Sequence, residues 1–170
     1  MVFDYFRNKT GRRTAGLVFA TALTLSCWAA SPTVEKAVDA TKPETQALGV
    51  VEAKAKVQSG QKITVQGKVK DFVAGHAVFT LADSSMKSCK DNGENCPTPW
   101  DYCCHPKETI SKNSATVMLV ANAGEKKPVK EEIKGVEGID HLTAVAVEGT
   151  VQKDKAGNLV VFAEKIHVTK

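Results

Sequence analysis

Arginine is missing from this chain after residue 13. Arg7, Arg12 and Arg13 are its three arginines, and every later cation is a lysine or a histidine. The guanidinium is the side chain that grips phosphate and guanine bidentately, so its absence removes the usual reader of a nucleic-acid surface. The formal charge of +4 does not restore one. Arg7, Lys9, Arg12 and Arg13 against Asp4 place +3 of it in residues 1–30, leaving +1 for residues 31–170. Aromatic residues are scarce as well, at 6%. No Cys-x-x-Cys occurs, which excludes the thioredoxin type of reactive thiol and the Cys-x-x-Cys-His attachment of haem. No phosphate-cradling glycine loop and no legible Ser/His/Asp arrangement is present. Asp91-Asn-Gly-Glu94 lacks the twelve-residue calcium pattern. These absences lead to an expectation of a binding or interaction module without catalytic activity.

What is present begins with a basic stretch, Arg7 to Arg13, followed by the apolar run Ala15–Leu25. That order and length describe a signal peptide over residues 1–30, and the run is too short to cross a bilayer as a permanent helix. Leu23-Thr-Leu-Ser-Cys27 resembles a bacterial lipobox, which implies lipidation of Cys27 and a membrane anchor. Thr24 and Leu25 depart from that pattern, and Cys27-Trp-Ala-Ala30 offers ordinary cleavage instead. Arg12-Arg13 also resembles a twin-arginine signal without its following Phe-Leu. Either route implies export to a bacterial cell envelope or periplasm. Residues 31–48 mix Pro, Thr, Ala and charge without sustained apolar periodicity, which predicts a flexible tether before a domain at 49–170.

From residue 60 the apolar period is two. Ile63, Val65 and Val69 alternate with Thr64, Gln66, Lys68 and Lys70, the pattern of a half-buried strand with a bend at Gly67. Residues 77–82, 115–121, 142–151 and 159–168 supply four more strands, the last two joined by a hairpin at 153–158. Val129, Ile133 and Val136, among Lys/Glu pairs, predict a short amphipathic helix or loop within 124–141, interrupted at Gly135 and Gly138. The order of these elements, with Val65-Gln-Gly67-Lys-Val69 and Phe79-Thr-Leu-Ala-Asp83, resembles the OB-fold. The expected class is therefore all-β: a five-stranded barrel with one short helix, burying Val65, Val69, Phe79, Leu81, Val117, Val145, Val147 and Phe162. The resemblance implies oligonucleotide binding as one alternative function, with Phe79 and Phe162 as stacking candidates. Core packing is the competing use of both rings.

Residues 84–114 form a long insertion between the second and third strands and hold four of the five cysteines: Cys89, Cys96, Cys103 and Cys104. With Pro97-Thr-Pro-Trp-Asp-Tyr102 this stretch resembles small exported OB-like proteins of bacteria, a resemblance that carries no activity. On an exported chain the first expectation is a disulfide staple. Adjacent cysteines bridge only with strain, which leaves 89–103 with 96–104, or 89–104 with 96–103. Each bridge would contribute about 2–3 kcal/mol by loop closure. The same thiols with His105, and Asp101 orienting its ring, would alternatively hold zinc or copper. A redox role is a third use of the same residues. Hence the expectation is no cofactor on the disulfide reading and a metal on the other, with the membrane, a protein or a small ligand as partner.

His76, His141 and His167 are each expected at the surface or in a turn. Ala163-Glu-Lys-Ile-His167 is superficially similar to the ending of the cytochrome c maturation haem chaperones, which hold haem on such a histidine. The tyrosine that follows in that family is missing.

Overall fold

A computed structural model describes residues 32–169; the leader and Cys27 lie outside the described residues. Short elements come first: helix α1 (Pro32–Ala37), strands β1 (Val38–Asp39) and β2 (Leu48–Gly49), and helix α2 (Val50–Lys56). The long strands follow as β3 (Lys62–Phe72) and β4 (Val78–Ala82). Helix α3 (Lys107–Lys112) precedes β5 (Ser114–Leu119), and β6 (Ala144–Lys153) and β7 (Leu159–Val168) close the chain.

Each long strand pairs on both sides, so the sheet closes as β3–β4–β5–β7–β6 and back to β3. All the neighbours are antiparallel except β5 and β7, which run parallel. This is a closed five-stranded, OB-like barrel, as the period-two pattern predicts. Register sets the core. Val65 lies opposite Val147, Phe79 opposite Val117, and Val117 opposite Val161, so residues facing one another all point inward. A one-residue slip on any strand would turn that set outward, which is why the buried face specifies the pairing.

Seven of the eight residues expected in the core are buried; Phe162 is only half-buried, on the outer face of β7. Two glycines allow the tight curvature. A Cβ on Gly67 would meet the Ala82 carbonyl oxygen at 2.3 Å, and one on Gly149 the Phe162 carbonyl oxygen at 2.2 Å. The ladder irregularities fall beside them, between Val69 and Asp71 and between Glu148 and Gly149.

Of the helix or loop expected within 124–141 the structure forms the loop, and the expectations for the tether and for His167 are corrected. Ile133 and Ile139 are buried, but Gly135 and Gly138 take positive φ values of 90° and 82° and leave one 3-10 turn at Val136–Gly138. The stretch expected as a tether docks instead on the barrel. β1 pairs parallel with β7, β2 pairs parallel with β3, and Val34 and Val38 are buried. His167, expected at the surface, is the clamp. Only 2% exposed, it places Nδ1 2.9 Å from Asp39 Oδ1 and Nε2 3.1 Å from Glu148 Oε1. The Asp39 carboxyl is held well below the usual carboxylate range: burial opposes ionisation, but hydrogen bonds from Thr41 and Lys165 outweigh it.

Candidate metal centre in the cysteine insertion

The insertion leaves the barrel at Asp83 and returns at Ser114, its neck closed by the Asp83 amide donating to the Asn113 carbonyl at 2.8 Å. It folds back over the outer face of β3, where alternation points the even-numbered lysines away from the core. Lys68 pairs with Asp91 at 3.1 Å and Lys70 with Asp101 at 3.5 Å. Trp100 stacks on His141, with centroids 4.8 Å apart and planes at 24°. Beneath lies a small apolar cluster of Ala82, Met86 and Tyr102.

Within the insertion, the Cys89 amide donates to the Asp101 carbonyl at 2.9 Å and the Lys90 amide to the Pro99 carbonyl at 2.7 Å. These bonds set the first cysteine beside the chain that carries the last two. Between them the backbone turns tightly at Gly93, whose φ is 71°, and the Glu94 amide returns to the Cys89 carbonyl at 2.9 Å. Asp91 Oδ2 accepts the Ser88 amide while Ser88 Oγ accepts the Asp91 amide, a reciprocal pair that fixes the turn.

The result gathers four sulfurs. Cys89 Sγ lies 3.3 Å from Cys103 Sγ and 3.9 Å from Cys104 Sγ. Cys103 Sγ lies 3.7 Å from Cys96 Sγ and 3.8 Å from Cys104 Sγ. All four lie within 4.8 Å of one another. A disulfide needs about 2.05 Å, and none of the four described cysteines is bridged. The two expected disulfide pairings are therefore corrected to an unbridged cluster. A regular tetrahedron with metal–sulfur bonds of about 2.3 Å has sulfur–sulfur edges of about 3.8 Å. The four distances scatter around that value, so the donor set fits a tetrathiolate metal ion.

Two other expected members stay outside the cluster. His105 places Nε2 2.9 Å from the Lys87 carbonyl oxygen. Asp101 accepts the Tyr102 amide on Oδ1 at 2.7 Å and faces Lys70, so it does not orient the His105 ring. The residue that sequence reasoning missed is Glu94, whose carboxylate contacts Cys104 Sγ and lies 3.8 Å from Cys96 Sγ. Its position between Cys89 and Cys96 in the chain was the available signal.

The thiols also share protons. Burial pushes the Cys89 thiol up, but hydrogen bonds from Cys103, Cys96 and Cys104 outweigh it, and the net shift is down. Cys96 is pushed up to about 12, first by its bonds to Cys89 and Cys103 and then by burial. Cys104 moves up further, chiefly because of Glu94. One thiolate thus suppresses its neighbours, and a bound cation would relieve that repulsion. Exposure is graded: Cys89 is buried, Cys96 half-buried, and Cys103 and Cys104 open to solvent.

The nucleic-acid candidates are corrected here too. Phe79 is 1% exposed in the core and cannot reach a base, and Phe162 lies on the opposite face of the sheet.

No family model matches this sequence, and no curated protein matches it. Among solved structures it is similar to a proposed aspartyl-tRNA synthetase from Leishmania major Friedlin, with 17% identity and a TM-score of 0.45. That similarity covers 79% of this chain and 24% of the synthetase, so the chain spans about a quarter of that protein's length. It is also similar to an OBody, AM1L10, solved bound to hen egg-white lysozyme, with 14% identity and a TM-score of 0.39 over 75% and 94% of the two chains. The barrel assignment rests on the strand order given above.

Proposed function

We propose that this protein is an exported OB-barrel module whose insertion binds one zinc ion through Cys89, Cys96, Cys103 and Cys104. The observation that carries this reading is the sulfur geometry: four thiols near tetrahedral spacing with no bridge among them. Soft thiolates in a four-sulfur tetrahedron favour zinc, with iron the other ion of that geometry and copper(I) favoured by thiolate softness alone. The reading includes no catalytic step. Export, and anchoring of Cys27 by lipid, are supported by the basic and apolar leader alone.

Elemental analysis of freshly isolated full-length protein, with thiol counting after denaturation, tests it. One equivalent of zinc and four reactive thiols among these cysteines are expected. Two disulfides without metal would return the disulfide staple, and copper or iron in place of zinc would change the ion but keep the site. Zinc uptake by reduced protein should also release about three to four protons per ion near pH 7, because the raised Cys96 and Cys104 thiols must ionise to bind. Calorimetry in buffers of different ionisation enthalpy reads that number, and release of less than about one proton would exclude full thiolate ligation.

A further inference from the structure

Resting on the tetrathiolate reading above, we propose that the centre is a metal-releasing thiol switch, in which a low-molecular-weight disulfide discharges the zinc through Cys103 and Cys104. A closed structural zinc site buries its ligands. Here the burial is divided, with Cys103 and Cys104 exposed and Cys89 shielded beneath them. An external disulfide can therefore meet only the exposed pair at first. The Glu94 carboxylate lies against Cys104 Sγ, so an anionic disulfide such as oxidised glutathione is repelled there and approaches Cys103.

The chemistry closes with the sulfurs present. The Cys103 thiolate attacks one sulfur of the external disulfide, forming a mixed disulfide and expelling one external thiolate. Cys89 Sγ, 3.3 Å away and the nearest thiol, attacks Cys103 Sγ and expels the second. Cys104, slowed by Glu94, and Cys96 then repeat the two steps with a second external disulfide. Four electrons pass from the four cysteine sulfurs to two external disulfides, giving two internal bridges, four external thiolates and one free zinc ion. The charge is conserved, since the tetrathiolate complex carries −2 and the zinc ion with four thiolates also sums to −2. The barrel core need not take part. Its cluster contains no residue between Leu81 and Ala115, and the insertion packs Met86 and Tyr102 in a separate small cluster, against Ala82 at the end of β4.

The test starts from full-length, reduced protein shown by elemental analysis to carry one zinc. Oxidised glutathione is added, and zinc release is followed with a chromogenic chelator, together with thiol counting, non-reducing peptide mapping and circular dichroism. We expect stoichiometric zinc release, bridges 89–103 and 96–104, an unchanged barrel spectrum, and recovery of the site with reductant and zinc. Cys89→Ser should accumulate a glutathione adduct on Cys103, since its resolving thiol is gone. If that variant fails to fold, mapping of the wild-type mixed disulfide trapped at short times by acid quench reports the same point. Retention of zinc with all four thiols intact would overturn the switch while leaving the zinc site standing. Loss of the barrel spectrum on release, or a Cys103–Cys104 bridge as the product, would also overturn it. Reduced protein that binds no zinc at all would overturn the tetrathiolate reading, and the switch with it.

Discussion

At the scale of single residues, the Tyr102 ring contributes more than its hydroxyl. The side chain is fully buried between the barrel wall and the insertion, yet the hydroxyl finds no protein partner among the described residues. Burial, with the charge of Asp91 adding to it, pushes this phenol up to about 12, so it stays neutral across the ordinary pH range. Removing an unpaired buried hydroxyl removes a desolvation cost, whereas removing the ring opens a cavity. Tyr102→Phe should therefore leave stability unchanged or raise it by up to about 1 kcal/mol. Tyr102→Ala should cost about 3–5 kcal/mol, reported by urea unfolding. A loss above about 2 kcal/mol in the Phe variant would mean that the hydroxyl is bonded after all. Neither property of Tyr102 was legible beforehand, because the sequence placed it only in the long insertion.

At the scale of elements, short pieces hold the barrel's approaches together, and charge fixes two of them. α2 starts at Val50 without a capping side chain of its own, and Asp83 supplies one from the end of β4. Its Oδ2 accepts the Val51 amide at 3.0 Å, while Oδ1 accepts the Ser85 amide and hydroxyl. Burial opposes the charge on Asp83, but these bonds outweigh it and hold the carboxyl below its usual range. A carboxyl depressed in the folded state stabilises fully above its unfolded value of about 3.9 and loses that contribution as pH falls through the folded value. Asp83→Ala should cost about 1–2 kcal/mol at pH 7, and the difference from wild type should shrink below about pH 4. A difference constant from pH 7 to pH 3 would show that the charge is idle. The β1 segment depends on the contacts of His167 with Asp39 and Glu148. His167→Ala should free residues 32–49 from the barrel, seen as new proteolytic cleavage around Thr41 to Gln46 while the barrel resists. Equal resistance in wild type and variant would count against the clamp.

These elements also show where sequence reading stops. The five long strands were legible because burial on one face imposes a period of two, and register follows from it. α2 went unread, although Val50, Ala53 and Val57 recur at helical spacing and all three are buried. The docking of β1 was not: two isolated valines and a two-residue ladder carry no period. The choice between helix and loop at 124–141 was not legible in the Lys/Glu pairs, which solvate a loop as well as a helix. Cys89, Cys96, Cys103 and Cys104 were recognisable as a site. Whether they would bridge or converge on a metal depends on where the turn at Gly93 and the Cys89–Asp101 pairing bring the sulfurs, and linear spacing does not encode that.

At the scale of the whole molecule, the protein divides into a barrel that closes on itself and an insertion that closes on its cysteines. Every long strand of the barrel has two neighbours, so no edge needs the insertion to cover it. The barrel core runs through all five long strands and takes in α1 and α2. Within 84–113, by contrast, the buried residues are Met86, Ser88, Cys89 and Tyr102, too few to order that length of chain by apolar burial alone. On the tetrathiolate reading the insertion draws its order from the metal, from the Lys68–Asp91 and Lys70–Asp101 pairs, and from the Trp100–His141 stack, of which the partly exposed ion pairs are weak. Metal removal should thus be a local event. Adding a strong chelator to reduced protein should abolish slow hydrogen exchange at the amides of Cys89, Lys90 and Glu94, which depend on the insertion's own hydrogen bonds. The amides of β3, β6 and β7 should keep their protection, and the thermal midpoint of the barrel should move by only a few degrees. If the chelator instead removed protection from all five long strands together, the metal would be part of the folding core, and the separation of barrel from insertion would be wrong.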